Sequence, residues 1–286
     1  MYRIGLSSCA FDLEEPAFQS LQKTGIKDIE ISLSIDDYPN LDFRKTRQLA
    51  DAYDVNLWSL HLPFANAGVQ DIASADEDLR RRSVALLGEY IRKGGDIGID
   101  KFVVHPCGEP VSEEPAVRGA QMEQAKTSLD ALAELAAAQG AVIAVEDLPR
   151  SCLGRTAEEV LELISANEKL RVCFDTNHLL IDDNLRFVQL LAGKIVTLHV
   201  SDYDFFNERH WLPGEGKVDW PALYDAIRRS GYDGVWMYEI GLNCPKTIYR
   251  DRSLTFEDFH RNAYEIFENR PLTVISRPKE NLGMWE

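Results

Sequence analysis

The sequence predicts an α/β fold of the (β/α)8 barrel type, on three observations. Short apolar runs alternate with longer segments of helical periodicity along almost the whole chain. Eight such runs occur, and their starts lie about 30 residues apart, the length of one βα unit. A length of 286 residues also suits one barrel, since about 250 residues is typical. Strict alternation implies a parallel sheet, and eight units imply its closure, with an open doubly wound sheet as the alternative.

Each predicted strand is a short run of apolar, mostly β-branched or aromatic residues followed by a polar loop. The predicted strands cover residues 3–8, 27–33, 55–61, 101–105, 142–146, 171–175, 194–200 and 235–240. The helices predicted between them cover residues 16–24, 41–53, 75–93, 113–139, 156–166, 184–191, 221–229 and 255–268. Asn40 is the expected N-cap of the second helix, and Thr156 with Glu159 forms a capping-box pattern. We expect residues 1–270 to form the barrel and 271–286 an irregular tail that packs on it or on a neighbouring subunit.

Composition limits the classes of function. Hydrophobic residues make up 45% and charged residues 27% of the chain, as in soluble globular proteins. A formal net charge of −16 argues against an interface that neutralises phosphates, so no nucleic-acid partner is expected. No apolar run is long enough for a membrane span, and the N-terminus lacks a signal-peptide pattern. Five cysteines without CxxC spacing favour reduced thiols and a cytoplasmic location. The Ala-rich helix at 113–139 could pack on its own barrel or in a homo-oligomer.

Ionisable residues recur where the predicted strands end. In a barrel of this type the chemistry lies at the C-terminal ends of the strands. Six consecutive strands end in or beside such a residue, namely His61, His105, Glu146, Asp175, His199 and Glu239. Burying several carboxylates together costs several kcal/mol unless a cation offsets their repulsion. The pattern therefore predicts a metal site, with a purely structural polar cluster as the alternative.

The expected ligands are Glu146, Asp175, His199 and Glu239, which offer three carboxylates and one imidazole. A shell dominated by oxygen favours one Mn²⁺ ion, with Mg²⁺, Co²⁺ or Zn²⁺ as alternatives. We expect neither Cys107 nor Cys173 to be a ligand.

Short motifs spread over residues 1–270 resemble the xylose-isomerase-like TIM-barrel superfamily. They resemble most its sugar isomerase and epimerase branch, the relatives of D-tagatose 3-epimerase and hydroxypyruvate isomerase. The matching segments are GIKDIEIS (25–32), LHLPF (60–64), VVHPCG (103–108), VEDLP (145–149), CFDTNH (173–178), LHVSD (198–202), LPGEGKVDW (212–220) and YEI (238–240). Their order and spacing are specific for the superfamily and much less so for a substrate.

The resemblance implies that the four expected ligands form one metal site and that Glu146 and Glu239 are an acid–base pair. It also implies substrate contacts for His178 and Arg209. We further expect His105 and His210 to hydrogen-bond substrate hydroxyls and His61 with Phe64 to form the wall. Glu208 and Trp211, in the loop after the seventh strand, complete the predicted substrate-binding residues.

The resulting hypothesis is a metal-dependent isomerase or epimerase of a sugar, polyol or sugar phosphate, acting through a stabilised enediolate. A lyase of the inosose-dehydratase or eliminating-deglycosidase type would begin with the same deprotonation. The superfamily also contains apurinic-site endonucleases with three zinc ions, and His61, His105, Glu208 and His210 stand where those enzymes add ligands. A non-enzymatic sugar-binding barrel is the remaining alternative.

Overall fold

The computed structural model describes residues 1–279 and confirms the predicted barrel. Eight parallel strands form its wall: β1 Arg3–Ser7, β2 Asp28–Ile31, β3 Asn56–His61, β4 Lys101–Val104, β5 Val142–Glu146, β6 Arg171–Asp175, β7 Ile195–His199 and β8 Val235–Tyr238. The sheet runs in the order β7-β6-β5-β4-β3-β2-β1-β8. A parallel bridge between Val200 and Tyr238 joins its two ends, and the Val200 amide donates to the Met237 carbonyl at 2.8 Å. The wall is thus closed by a single bridge.

Within residues 1–279, eight α-helices alternate with the strands and cover the outside of the barrel. They are α1 Glu15–Thr24, α2 Phe43–Ala52, α3 Glu77–Gly95, α4 Pro115–Ala137, α5 Ala157–Ile164, α6 Asn184–Leu190, α7 Trp220–Arg229 and α8 Phe256–Phe267. The expected cap at Asn40 is wrong: Asp42 accepts the Lys45 amide at 2.9 Å, and Asn40 closes a short 3₁₀ turn. Thr156 does cap α5, by accepting the amide of Glu159.

Two layers of side chains fill the molecule. The larger lies between strands and helices and contains fully buried rings such as Phe102, Phe174 and Trp236. The smaller lies inside the barrel, where Val103, Ala144 and Cys173 pack together. The barrel interior is therefore a packed core beneath the rim, as expected for a closed parallel barrel.

The longest helix, α4, buries one face that includes Ala125, Leu129, Leu132 and Ala136 in the core of its own chain. Within residues 1–279, no helix combines the length and the hydropathy that a membrane span requires.

The expectation of an irregular tail is wrong over three residues. Ser276–Pro278 forms strand β10, which pairs antiparallel with strand β9, Ile248–Arg250. Before it, the Thr273 amide and hydroxyl both donate to the buried Glu265 carboxylate, at 2.8 and 2.6 Å. Pairing with β9 satisfies backbone groups that the isolated tail would leave to water. Residues 280–286 of the predicted tail lie outside the described part of the chain.

Candidate functional site

The structure brings all six strand-end residues together at one rim of the barrel. Glu146, Asp175, His199 and Glu239 form what we call the metal cluster, in which one ligand-competent atom from each residue lies within 4.8 Å of the others. Nδ1 of His199 is central: it lies 2.9 Å from Glu146 Oε1, 3.4 Å from Glu239 Oε2 and 3.9 Å from Asp175 Oδ2. The carboxyl ends of β5, β6, β7 and β8 therefore deliver three carboxylates to one imidazole.

The opposite edge of the His199 ring is held by a residue that the sequence reasoning missed. Nε2 of His199 lies 3.0 Å from Oε1 of Glu30, a fully buried carboxylate on β2. Glu30 in turn accepts the Ser59 hydroxyl at 2.8 Å. A carboxylate behind an imidazole fixes the ring and makes the other nitrogen a better ligand. The available signal was an acid between two isoleucines in the predicted strand, within the segment DIEI.

A second group surrounds the other oxygen of Glu146. Oε2 lies 3.1 Å from His61 Nε2 and 3.2 Å from His105 Nε2. Nδ1 of His61 points at the Leu62 carbonyl, 2.9 Å away, and must carry the proton of that hydrogen bond. In the neutral ring, Nε2 then presents a lone pair toward the carboxylate. A lone pair that faces a carboxylate is stable only if the His61 ring is protonated or a cation lies between Nε2 and the Glu146 carboxylate.

A third group contains His178, Glu208 and His210, whose ligand-competent atoms also lie within 4.8 Å of one another. His178 repeats the pattern of His61, since its Nδ1 donates to the Asp147 carbonyl at 2.8 Å and its Nε2 faces Glu208 Oε2 at 3.2 Å. His210 has φ +50°, a left-handed conformation that a non-glycine residue rarely adopts. Such strain is characteristic of functional sites.

Arg150 is a second site residue that the sequence patterns did not indicate. It joins three loops at the edge of the site. Its guanidinium makes two hydrogen bonds of 2.6 Å to Glu109, after β4, and one of 2.7 Å to Glu208, after β7. Arg150 itself follows β5 and has φ +54°. Glu109 and Arg150 are distant in the chain and meet only in the folded protein, so no local sequence pattern predicted this contact.

Burial and mutual charge shift the pKa values of the site. Burial raises the pKa of Asp175 to about 6, since the nearby histidines compensate only in part. Burial would also raise the pKa of Glu146, but the positive charge of His199 and His105 holds it well below its usual range. Burial would lower the pKa of His61, yet its hydrogen bond with Glu146 raises it to about 8. Burial prevails at His105 and lowers its pKa. The site therefore lowers the pKa of Glu146 beside His199 and raises that of Asp175 on the neighbouring strand β6.

The residues of the metal cluster fit a divalent cation. Oδ2 of Asp175 is fully buried and has no hydrogen-bond donor among the described residues, although Oδ1 accepts the Asn177 amide at 2.7 Å. An orphaned carboxylate oxygen facing two further carboxylates is costly without a positive charge. Three carboxylates and one imidazole are ligands for Mn²⁺, Mg²⁺, Co²⁺ or Zn²⁺. Cys173 Sγ also lies within 4.8 Å of ligand-competent atoms of Glu146 and His199, and burial raises the pKa of this thiol well above its usual value.

A cavity of about 270 Å³ opens directly over these groups, and we call it the first cavity. Its lining includes Glu146 and Glu239 together with six of the eight predicted substrate-binding residues, namely His61, Phe64, His105, His178, Glu208 and His210. The ring of Phe64 lies against His105, with centroids 4.2 Å apart, and remains 43% exposed. The cavity is close to the lower limit of about 300 Å³ for small-molecule sites.

Two of the predicted substrate contacts lie elsewhere. The side chain of Arg209 is fully buried, and its Nε donates to Asp204 at 2.9 Å. Trp211 is also buried, and its indole N–H donates to the Thr247 hydroxyl at 2.9 Å. Neither lines the first cavity. The structure therefore does not bring these two side chains to the first cavity, and a substrate contact of either one stays a prediction.

Comparisons with known proteins agree with the barrel fold. The sequence pattern described as xylose isomerase-like TIM barrel matches residues 18–253. L-ribulose 3-epimerase of Mesorhizobium japonicum is 30% identical over 172 residues, 58% of this chain and 56% of that protein. A probable endonuclease 4 of Thermoplasma acidophilum is 29% identical over 176 residues, 55% of this chain and 59% of that protein. The chain thus matches less than two thirds of the length of its first curated relatives.

The solved structure of a D-tagatose 3-epimerase-like protein has the same fold. It superposes with a TM-score of 0.77 at 22% identity and covers 94% of this chain and 96% of its own. On the match over residues 18–253, the chain belongs to the xylose isomerase-like TIM barrel family.

Proposed function

We propose that this protein is a divalent-metal-dependent isomerase or epimerase of a small sugar or polyol. One observation carries the proposal: Glu146 and Glu239 line the same cavity and share the Nδ1 edge of His199. Two ionised carboxylates on one small-molecule cavity suit the removal and return of a proton at carbon. Epimerase relatives in the same family support the proposed class of reaction.

The two carboxylates differ in a way that suggests their roles. Glu146 is 1% exposed and both its oxygens are engaged by histidines. The Glu239 side chain is 14% exposed, and its Oε2 lies 3.4 Å from His199 and 4.0 Å from His210. Glu239 is therefore the freer group to approach a carbon-bound proton, and Glu146 the better anchored partner for its return.

The residues around the pair would bind and orient the substrate. A divalent ion held by Glu146, Asp175, His199 and Glu239 would acidify the C–H bond next to a carbonyl and stabilise the negative charge that follows deprotonation. His105, His178 and His210 face the first cavity and can hydrogen-bond hydroxyl groups. The exposed face of Phe64 covers the cavity and would exclude water from the reacting carbon.

Solvent deuterium uptake tests this proposal. The protein is stripped with a chelator, reloaded with Mn²⁺ and incubated in D₂O with a panel of free ketohexoses, and exchange is followed by NMR. We expect uptake at a carbon next to the carbonyl, lost about a hundredfold or more in Glu239→Gln, as for removal of a general base. Glu123→Gln, an exposed acid on α4, is the control. Uptake that persists in Glu239→Gln or after chelation would refute the proposed mechanism.

A second candidate is favoured by one specific observation. Besides the metal cluster, the structure assembles His61, His105 and Glu146 as one group and His178, Glu208 and His210 as another. Three such groups are what a three-metal phosphodiesterase would need, and probable endonucleases occur among the relatives. Metal content separates the two: about one ion per chain supports the isomerase, whereas two or three zinc ions with cleavage of abasic DNA would support the nuclease.

A further inference from the structure

A second cavity adjoins the first and shares part of its wall. It measures about 460 Å³ and opens among the loops after β1, β2 and β8. Phe64, His210 and Glu239 line both cavities. The freer of the two carboxylates therefore stands on the boundary, with an aromatic ring and an imidazole beside it.

Hydrogen bonds and ring packing hold the residues between the two cavities in place. His210 reaches it through its left-handed backbone, which Asn177 supports by accepting the His210 amide at 3.3 Å. Its Nδ1 also donates to the backbone carbonyl of Glu239 at 3.1 Å. On the other side, Phe64 is held against His105. A rigid ring with one open face can pack on the apolar face of a sugar at either side of the boundary.

The rest of the second cavity is neutral. Its remaining lining consists of Cys9, Ser32, Leu33, Ser34 and Gly241. The loop after β2 is held to the segment after β1 by two hydrogen bonds. The Ser32 amide donates to Ser8 Oγ at 2.8 Å, and the Ser8 hydroxyl donates to the Ser32 carbonyl at 2.9 Å. Among the described residues of this lining there is no Lys or Arg, so the chemistry that binds phosphate is missing from it. Hydroxyls and a small apolar patch fit an uncharged sugar unit.

We infer that the second cavity is a subsite for a second sugar unit, so that the preferred substrate is a neutral disaccharide or glycoside rather than a free monosaccharide. The reacting unit would lie in the first cavity over Glu146 and Glu239, and its partner would extend past Phe64 and His210. This inference rests on the proposed function, because it assigns the reacting unit to the same carboxylate pair.

The test compares free ketohexoses with ketose disaccharides on the Mn²⁺-loaded protein. D-fructose, D-psicose, D-tagatose and D-sorbose are matched against lactulose, maltulose and isomaltulose. Binding is measured by calorimetry and turnover by deuterium uptake. We expect at least one disaccharide to bind about tenfold or more tightly than every monosaccharide. Equal or weaker binding of all three disaccharides would overturn the inference.

A filling substitution locates the preference. A Cβ added at Gly241 meets no heavy atom within 4 Å, so Gly241→Trp should place its ring in the second cavity and reduce the ratio of disaccharide to monosaccharide affinity by about tenfold. Ser34→Phe approaches from the facing loop and should act in the same direction. Gly119→Trp, on α4 and equally open, is the control and should leave the ratio unchanged. A ratio that survives both fillings would refute the subsite.

The two readouts keep the proposals apart. Tight disaccharide binding that Gly241→Trp abolishes, without deuterium uptake in any sugar, would retain the subsite and refute the isomerase. Deuterium uptake restricted to monosaccharides would retain the isomerase and refute the subsite.

Discussion

Two buried groups of acids near the barrel rim differ in how their charges are balanced. The metal cluster has three carboxylates around one imidazole, and Oδ2 of Asp175 lacks a donor among the described residues. In contrast, the group that we call the loop anchor, formed by Asp202, Glu215, Trp220 and Arg250, has a donor for every carboxylate oxygen. The two groups are close in the chain after β7, because His199 ends this strand and Asp202 follows three residues later.

Within the loop anchor, each contact supports the backbone of the loop after β7. Oδ2 of Asp202 accepts the Gly214 amide and the Trp220 indole N–H, both at 2.8 Å. Oδ1 accepts the amides of Tyr203 and Val218 at 2.8 and 3.1 Å. Gly216 packs so closely that an added Cβ would lie 2.3 Å from Asp202 Oδ1, which leaves no room for a side chain. This acid is therefore structural.

Glu215 completes the loop anchor in the same way. Its carboxylate makes two hydrogen bonds to the guanidinium of Arg250, at 2.9 and 2.5 Å, and both side chains are almost fully buried. A buried charge with a bidentate partner is balanced within the protein. Burial alone therefore does not mark a functional acid, whereas the unbalanced negative charge of the metal cluster does.

The largest predicted effect is the loss of metal binding in Glu146→Gln. Glu146 contributes to two ligand groups, so its neutral amide would weaken Mn²⁺ binding by about a thousandfold, or ~4 kcal/mol. Calorimetric titration of the chelator-stripped protein measures this affinity, and circular dichroism verifies the fold. Glu123→Gln on the surface of α4 is the matched control. An affinity within threefold of the wild type (about 0.7 kcal/mol) would show that the cluster does not bind the ion.

Asp202→Asn should lower the free energy of unfolding and leave Mn²⁺ affinity unchanged, which is the reverse of the effect expected for Glu146→Gln. An amide in place of the carboxylate turns an N–H group toward the donors of Gly214 and Trp220, and we expect unfolding to become easier by about 2–4 kcal/mol. Urea unfolding in the absence of metal measures the change. Mn²⁺ affinity of the folded variant should stay near that of the wild type. A variant that loses metal binding while keeping its stability would contradict the assignment of Asp202 to the structure.

The sequence was sufficient to predict the fold and most of the site because both depend on local patterns. Each strand is an apolar run, and each of His61, Glu146, Asp175 and His199 is the last residue of its strand, where a parallel barrel gathers its side chains. The alternation of strands and helices then fixes which ends meet. That is why six separated residues could be assigned to one rim before any distance was known.

The remaining features depend on contacts between distant segments. Arg150 pairs with Glu109 and Glu208, which are far from it in the chain, so no spacing predicted it. Arg209 was expected in the site by its neighbourhood, but its backbone turns the guanidinium toward Asp204. Likewise β10 forms only because β9 provides a partner edge. Side-chain direction in loops and pairing of edge strands are set by tertiary packing.

Glu30→Gln should have an intermediate effect on the metal cluster. The amide would no longer accept the proton of His199 Nε2 as a charged partner, so the ring would be less basic and less well oriented. Loss of such an outer carboxylate lowers metal affinity by about 10–100-fold. Asp28→Asn is a matched control, because Asp28 is an equally buried acid on the same strand that pairs with Arg3 instead. Equal losses of Mn²⁺ affinity in both variants would mean that disturbance of strand β2, and not loss of the contact with His199, causes the effect.

Asp258, at the start of α8, is a further buried acid with balanced charge, and it lies outside the metal cluster. Burial would raise its pKa, but hydrogen bonds from Arg252, Arg261 and the Thr255 amide hold it well below its usual range. A depressed pKa in the folded state means stability that is present above about pH 4, the unfolded value, and is lost as the pH falls toward the folded value.

Asp258→Asn tests this direction of the pH dependence of stability, and its expected effect is the smallest. At pH 7 the variant should be less stable by about 1–2 kcal/mol, the cost of a lost helix cap, because the two arginines are half-exposed and water screens their charge. Urea unfolding from pH 7 to pH 3 should show the two proteins converging, because the Asp258 carboxylate becomes protonated in the unfolded wild type while it stays ionised in the folded one. Glu257→Asn, on the exposed side of the same first turn, is the control and should show no convergence of this size. A stability difference that is constant over this range would mean that Asp258 acts by packing, and that charge balance does not distinguish it from the acids of the rim.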